Sequence, residues 1–186
     1  MVPAAKQSDC SRQSPNGLAR QSHNFMIELM TIGYESLSRS EFFGILERCR
    51  VTLLVDIREL PISRKPGFNK AALEGTLVKR GLKYQHVVEL GCPRDIRHEY
   101  RADGDWARYA KRFKAYLDGQ TEAIDKLAGW MREDRCCLLC YEDDFNFCHR
   151  SIVAEKIAAL EHDDVKIHHL TGPMTGRVVV RRPLAA

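Results

Sequence analysis

Short, almost unbroken apolar runs, each set between segments of helical periodicity, limit what this chain can fold into. Residues 51–57 and 136–141 are near-continuous stretches of β-branched, leucine and cysteine side chains. A half-exposed strand alternates apolar with polar residues. A strand apolar at every position is buried on both faces, the pattern of a parallel sheet covered by helices. Ile27–Gly33, 84–90 and Val165–Leu170 read as three further strands.

The intervening segments read as helices. Ser38 with Glu41 three residues on forms a capping box, and Leu37 with Phe42 a hydrophobic staple. Phe42, Ile45, Leu46 and Cys49 then fall on one helix face. Asn69 caps a helix that runs toward Gly81. Trp106, Tyr109, Phe113 and Tyr116 mark another, and Ile124, Leu127 and Met131 the next. His149–Leu160 is a helix with Val153, Ile157 and Leu160 inward. Residues 91–103 read as a long polar loop. Alternating strand and helix predicts an α/β fold, with a mostly parallel central sheet of about five strands and helices on both faces, in three layers. Strand order is not legible.

Residues 1–25 are rich in Ser, Gln, Asn and Pro and lack periodicity, so they read as a disordered extension. Met26 opens a single domain over 26–176, and 177–186 is a basic tail that adds a short strand or trails off. The formal net charge of +4 in 186 residues invites a nucleic-acid reading. The excess is terminal, however: Lys6, Arg12 and Arg20 outweigh Asp9 near the start, and Arg177, Arg181 and Arg182 crowd the end. The body is close to neutral and has no large basic face by composition. No apolar run approaches the roughly 20 residues of a membrane helix. The start lacks the apolar core of a secretory signal. With seven irregularly spaced cysteines, this predicts reduced thiols, a cytoplasmic location and no membrane partner.

Ligands of open α/β sheets bind where the strands end. Strand one ends at Gly33-Tyr34, strand two at Asp56-Ile57-Arg58, and strand four at Cys140-Tyr141-Glu142. A short loop then leads to Cys148-His149-Arg150-Ser151, which opens a helix. A helix N-terminus offers unpaired N–H groups and partial positive charge. Arg150 and Ser151 would complete an anion cradle there, and a thiol in that field is biased toward thiolate. Cys148 and Cys140 are thus candidate nucleophiles or redox thiols, and Glu142 and Asp56 candidate acid–base groups. Arg150 is unfavourable at a helix start, so it should have a specific partner, with Glu142 or Asp56 available for a purely structural ion pair. The basic loop with Arg58, Arg64, Lys65 and Lys70 could meet a phosphate or stay a solvated surface. Cys140, Cys148 and His149, with Glu142 near, lack the paired spacing of a structural zinc site, so no metal is expected. Phosphate-loop, dinucleotide-fold and nucleophile-elbow signatures are absent.

Several of these segments, in order, match a known pattern. Thr31-Ile-Gly-Tyr34, Leu54-Val-Asp56-Ile-Arg58 with Pro61, Ser63 and Phe68-Asn69, Tyr84 with Glu89-Leu-Gly91, and Leu139-Cys140-Tyr-Glu142 with Cys148-His-Arg150-Ser151 resemble the DUF488 family. The likeness spans about 29–160. The family's usual form has His where this chain has Tyr34, and Val in place of Ile57. Tyr34 is therefore placed among ligand-binding residues with no acid–base role. The family's function is undefined. The resemblance implies that Asp56, Arg58, Cys140, Glu142, Cys148, His149 and Arg150 share one pocket.

The expectation is an enzyme acting on a small anionic ligand, phosphorylated or nucleotide-like. Cys140, Glu142, Cys148 and Asp56 would be catalytic, and Arg58, His149, Arg150, Ser151 and Tyr34 would hold the ligand. A nucleic-acid or modified-nucleotide binding module and a thiol redox sensor are the alternatives. Neither a cofactor nor an oligomeric state is indicated.

Overall fold

The computed structural model describes residues 26–161, 165–172 and 179–181. The expected disorder of 1–25 and most of the basic tail lie outside these residues. The strands are β1 (Ile27–Gly33), β2 (Leu53–Asp56), β3 (Lys83–His86), β4 (Cys136–Cys140), β5 (Val165–Leu170) and β6 (Val179–Arg181). The helices are α1 (Arg39–Arg48), α2 (Lys70–Lys79), α3 (Arg94–Asp103), α4 (Trp106–Asp118), α5 (Thr121–Glu133) and α6 (His149–Leu160). One sheet runs in the order β3-β2-β4-β1-β5-β6. The first five strands are mutually parallel, and β6 is antiparallel to β5.

Alternation along each strand feeds two cores. Met30, Ile32, Leu54, Cys137 and Leu139 face α1 and α2, meeting Phe42, Leu46, Leu73 and Leu77. Leu29, Leu53, Val55, Cys136 and Leu138 face the opposite layer, meeting Phe113, Leu127, Val153 and Ile157. The three-layer α/β architecture expected from the apolar runs is therefore present. Among the described residues no helix is long and apolar enough to cross a membrane.

Three boundaries move. The 91–103 segment is not a loop: α3 begins after Pro93 and ends at Gly104, whose φ of 68° closes it in the left-handed region. Its core contribution is essentially Ile96, so a mostly charged helix was hidden in the apolar pattern. The 51–57 run shortens to β2 because Arg50 turns the chain at φ 52° and the Val51 N–H still bonds back to Leu46 (3.0 Å). The 84–90 run stops at His86, and Val88–Leu90 is a 3-10 turn.

The connections fix where a ligand can lie. After β1 and β2 the chain passes to helices on one face, and after β4, which lies between them, to α6 on the other. Connections that diverge to opposite faces open a crevice at the carboxyl ends of the strands. Gly33↔Cys140 and Asp56↔Leu139 are register partners, so those ends lie side by side.

Candidate functional site

The segment after β4 crosses directly over the end of β1. The N–H groups of Tyr34 and Glu35 both donate to the Tyr141 carbonyl (3.1 and 2.9 Å). A Cβ on Gly33 would lie 1.7 Å from the Glu142 carbonyl oxygen, so only glycine lets the two backbones approach. Arg150, fully buried, donates to the carbonyls of Glu142 (2.6 Å) and Asp143 (2.8 Å). Ser151 donates to the Phe145 carbonyl (2.5 Å). These bonds fasten the loop between β4 and α6 to the helix start.

That fastening brings four side chains together. One ligand atom from each of Cys140, Glu142, Cys148 and His149 falls within 4.8 Å of the others. The Cys140 Sγ donates to Glu142 Oε2 (2.6 Å), and the Cys148 Sγ lies 3.2 Å from the same oxygen. His149 Nδ1 is 3.5 Å from Cys140 Sγ and 3.9 Å from Cys148 Sγ. Its Nε2 is 2.9 Å from the Ile57 carbonyl. A carbonyl can only accept, so Nε2 carries a proton and Nδ1 faces the thiols. Cys137 points into the other core, as a strand spacing of three requires.

Burial alone pushes both thiols up, and their environments then part them. Cys140 stays well above the ordinary thiol value, because Cys148 and the Glu142 carboxylate add to burial. For Cys148, burial is outweighed by the hydrogen bonds from Cys140 and His149 and by the charges of His149 and Arg150, leaving the thiol well below its ordinary value. Burial, then the Cys148 charge, raises Glu142. Burial lowers His149, but contact with Cys148 and the Glu142 charge raise it overall. The arrangement favours a thiolate at Cys148 beside an imidazolium, the form of cysteine that attacks electrophiles and that binds soft cations.

The cluster forms the floor of a cleft of about 520 Å³. Cys140, Glu142 and His149 line its base, and Arg64, Lys65, Arg97 and Arg101 stand around it. Arg64 and Arg101 are in no ion pair among the described residues. Arg97 pairs with Glu59, yet its buried Nε has no partner. Lys65 donates to the carbonyls of Tyr34 (2.8 Å) and Glu35 (2.7 Å). Exposed Leu60, Ile62 and Tyr141 add apolar surface to the same rim.

Several expected roles change. Asp56 is fully buried and accepts from Arg58 (Nε, 2.8 Å; Nη2, 2.5 Å) and from the Tyr84 hydroxyl (2.7 Å). Its carboxylate is consumed there and does not line the cleft. Arg58 also donates to the Tyr34 hydroxyl and the Phe68 carbonyl, both at 2.8 Å. Asp56, Arg58 and Tyr34 therefore form a buried brace, of which Arg58 and Tyr34 also line the cleft; a group so fully bonded is a poor acid–base catalyst or anion clamp. Arg150, through Nη1 and Nη2, and Ser151 likewise donate to carbonyls instead of an anion. The partner expected for Arg150 is backbone, not the Glu142 or Asp56 carboxylate. Lys70 is not among the cleft-lining residues.

Arg97 and Arg101 escaped the sequence reading because they lie on α3, read there as loop. Pro93 before the segment and Gly104 after it were the available signal, since that pair brackets a helix. Four residues apart, the two arginines then share one face.

No curated protein and no solved structure matches the sequence. A family model does match, over residues 38–157, which include α1, β2, the cleft-lining residues of α3 and the whole Cys140–Arg150 cluster. By that match the chain belongs to the family described as domain of unknown function DUF488.

Proposed function

We propose that this protein is an enzyme that takes a small anionic ligand, phosphorylated or nucleotide-like, into the cleft and acts on it at the Cys140–Glu142–Cys148–His149 cluster. The observation that carries the reading is the lining of the cleft: exposed or half-buried Arg64, Lys65, Arg97 and Arg101, with Glu59 among them, share it with half-buried Glu142 and buried Cys140 and His149. Cations held around a low-dielectric recess attract an anion far more strongly than the same charges spread in water. They ring a recess instead of extending along a face, which favours a compact ligand over a nucleic-acid backbone. Leu60, Ile62 and Tyr141 beside the cations suit a ligand with a flat apolar part as well as a charged one.

Glu142 is the acid–base member of the floor. Burial, then the Cys148 charge, raises its pKa above the ordinary carboxylate value, the direction that suits a proton-transfer group. The test is turnover of a panel of phosphomonoesters and nucleotides by the full chain, followed by chromatography. Glu142→Gln should lower the rate on any substrate found by about 100-fold or more. Arg97→Ala/Arg101→Ala should raise KM more than it lowers kcat. Equal turnover by wild type and Glu142→Gln would refute the assignment.

A further inference from the structure

The floor of the cleft has the donor set of a metal centre, with four ligand atoms within 4.8 Å of one another. A tetrahedral zinc ion with Zn–S near 2.3 Å and Zn–N or Zn–O near 2.0 Å spaces its donors by about 3.5 to 3.8 Å. Nδ1 of His149 lies 3.5 and 3.9 Å from the two sulfurs, and Cys148 Sγ lies 3.2 Å from the Glu142 oxygen. One edge is too short: Cys140 Sγ and Glu142 Oε2 are 2.6 Å apart, hydrogen bonded as thiol and carboxylate. They must separate by about 1 Å to bind the same ion. Glu142 sits in the loop beyond β4 and faces the cleft, so it is the donor best able to move.

Two observations outside the donor set point the same way. The Nε2 of His149 donates to the Ile57 carbonyl (2.9 Å), which fixes the ring and aims Nδ1 at the sulfurs. Metal-binding histidines are held in this way by their second nitrogen. Beside the cluster, Arg150 is fully buried with no carboxylate partner, and its Nε is unbonded. An uncompensated buried cation is costly. Two thiolates, one carboxylate and a neutral imidazole around a divalent ion carry one net negative charge, which the guanidinium balances.

We propose that Cys140, Cys148 and His149 bind a zinc ion, with Glu142 at the fourth, cleft-facing position. Two protons leave to solvent as the ion enters, one from the Cys140 thiol and one held by the Cys148–His149 pair, and no redox partner is required. Sulfur, nitrogen and oxygen donors in a tetrahedral set favour zinc over magnesium or calcium, which take oxygen ligands. The inference deepens the anion-processing reading by naming a cofactor for its floor: an anionic oxygen entering the cleft can displace Glu142 from the ion and leave the carboxylate free to accept a proton.

The test is metal content of the full chain, purified without chelator from zinc-supplemented cells, then stripped and titrated with zinc and with cobalt. About one zinc per chain is expected, with an intense thiolate-to-cobalt charge-transfer band in the substituted protein. Cys140→Ser and Cys148→Ser should each lower metal affinity at least about tenfold while circular dichroism shows them folded, and Cys49→Ser, outside the cluster, should load as wild type. A stripped wild-type chain that takes up neither metal, or a cobalt form without the thiolate band, overturns the proposal even if the serine variants unfold. Equal loading by folded serine variants overturns it too. Wild type without metal but with intact phosphate binding defeats the zinc site alone. Metal-loaded protein whose phosphate binding ignores Arg97→Ala/Arg101→Ala defeats the cleft reading alone.

Discussion

Arg58 and Asp56 show how charged side chains at a strand end can serve the fold instead of a ligand. Both are buried, and the Asp56 carboxylate accepts from Arg58 and Tyr84 at 2.5 to 2.8 Å. This pairing holds the Arg58 guanidinium above its ordinary pKa against the opposing effect of burial. Removing one partner of a buried pair leaves an uncompensated charge. Asp56→Asn should therefore lower stability by about 3–5 kcal/mol, read as a lower urea midpoint at unchanged m-value. A folded, fully stable variant that loses only turnover would restore Asp56 to a catalytic role. Arg97 and Arg101 differ from Arg58 in lacking such a full set of partners. Residue type and spacing reveal an arginine at a strand end, but not whether carbonyls or a ligand will use its donors, because those acceptors come from segments distant in sequence.

At the scale of elements, the crossing of β1 by the loop after β4 positions the site. Gly33→Ala would press a methyl against the Glu142 carbonyl, 1.7 Å from the ideal Cβ position. Overpacking of this kind costs about 1–3 kcal/mol, and relief by moving the loop shifts Glu142, so turnover should fall further than stability. A variant of wild-type stability and activity would show that the crossing is slack. The opposite ends of the strands are tied by Asp134, which accepts from Thr52 (2.9 Å) and Lys83 (2.9 Å). Burial raises Asp134, but these bonds outweigh it and hold the carboxyl below its ordinary 3.8. A depressed carboxyl stabilises the fold above 3.8 and loses that contribution as pH falls through the folded value. Melting temperature should thus drop more between pH 5 and about 3 in wild type than in Asp134→Asn; parallel curves would exclude this tie. Strands β1 and β5 and helix α6 were legible in the sequence because apolar pattern sets their bounds, although Leu160, read as inward, is exposed at the end of α6. α3 was not, since one buried isoleucine among charges leaves little period to read.

Across the whole molecule, strand order decides which ends meet. The sequence placed Cys140, Glu142, Cys148 and His149 within one stretch of chain, yet their convergence within 4.8 Å depends on β4 lying between β1 and β2. The same order sets the cleft below α3, so cations from the 58–65 loop and from α3 surround a floor made by β4 and α6. Charge totals gave no sign of this, because the basic excess lies at the two ends of the sequence. In the proposed function, these cations gather a small anion over the cluster. Calorimetric titration with inorganic phosphate and with adenosine monophosphate, at two salt concentrations, tests it most directly. Binding to the wild-type chain should be saturable and weaken with salt, and affinity should be at least about tenfold lower in Arg97→Ala/Arg101→Ala. Absence of saturable binding to wild type, or equal affinity in the double variant, would contradict it.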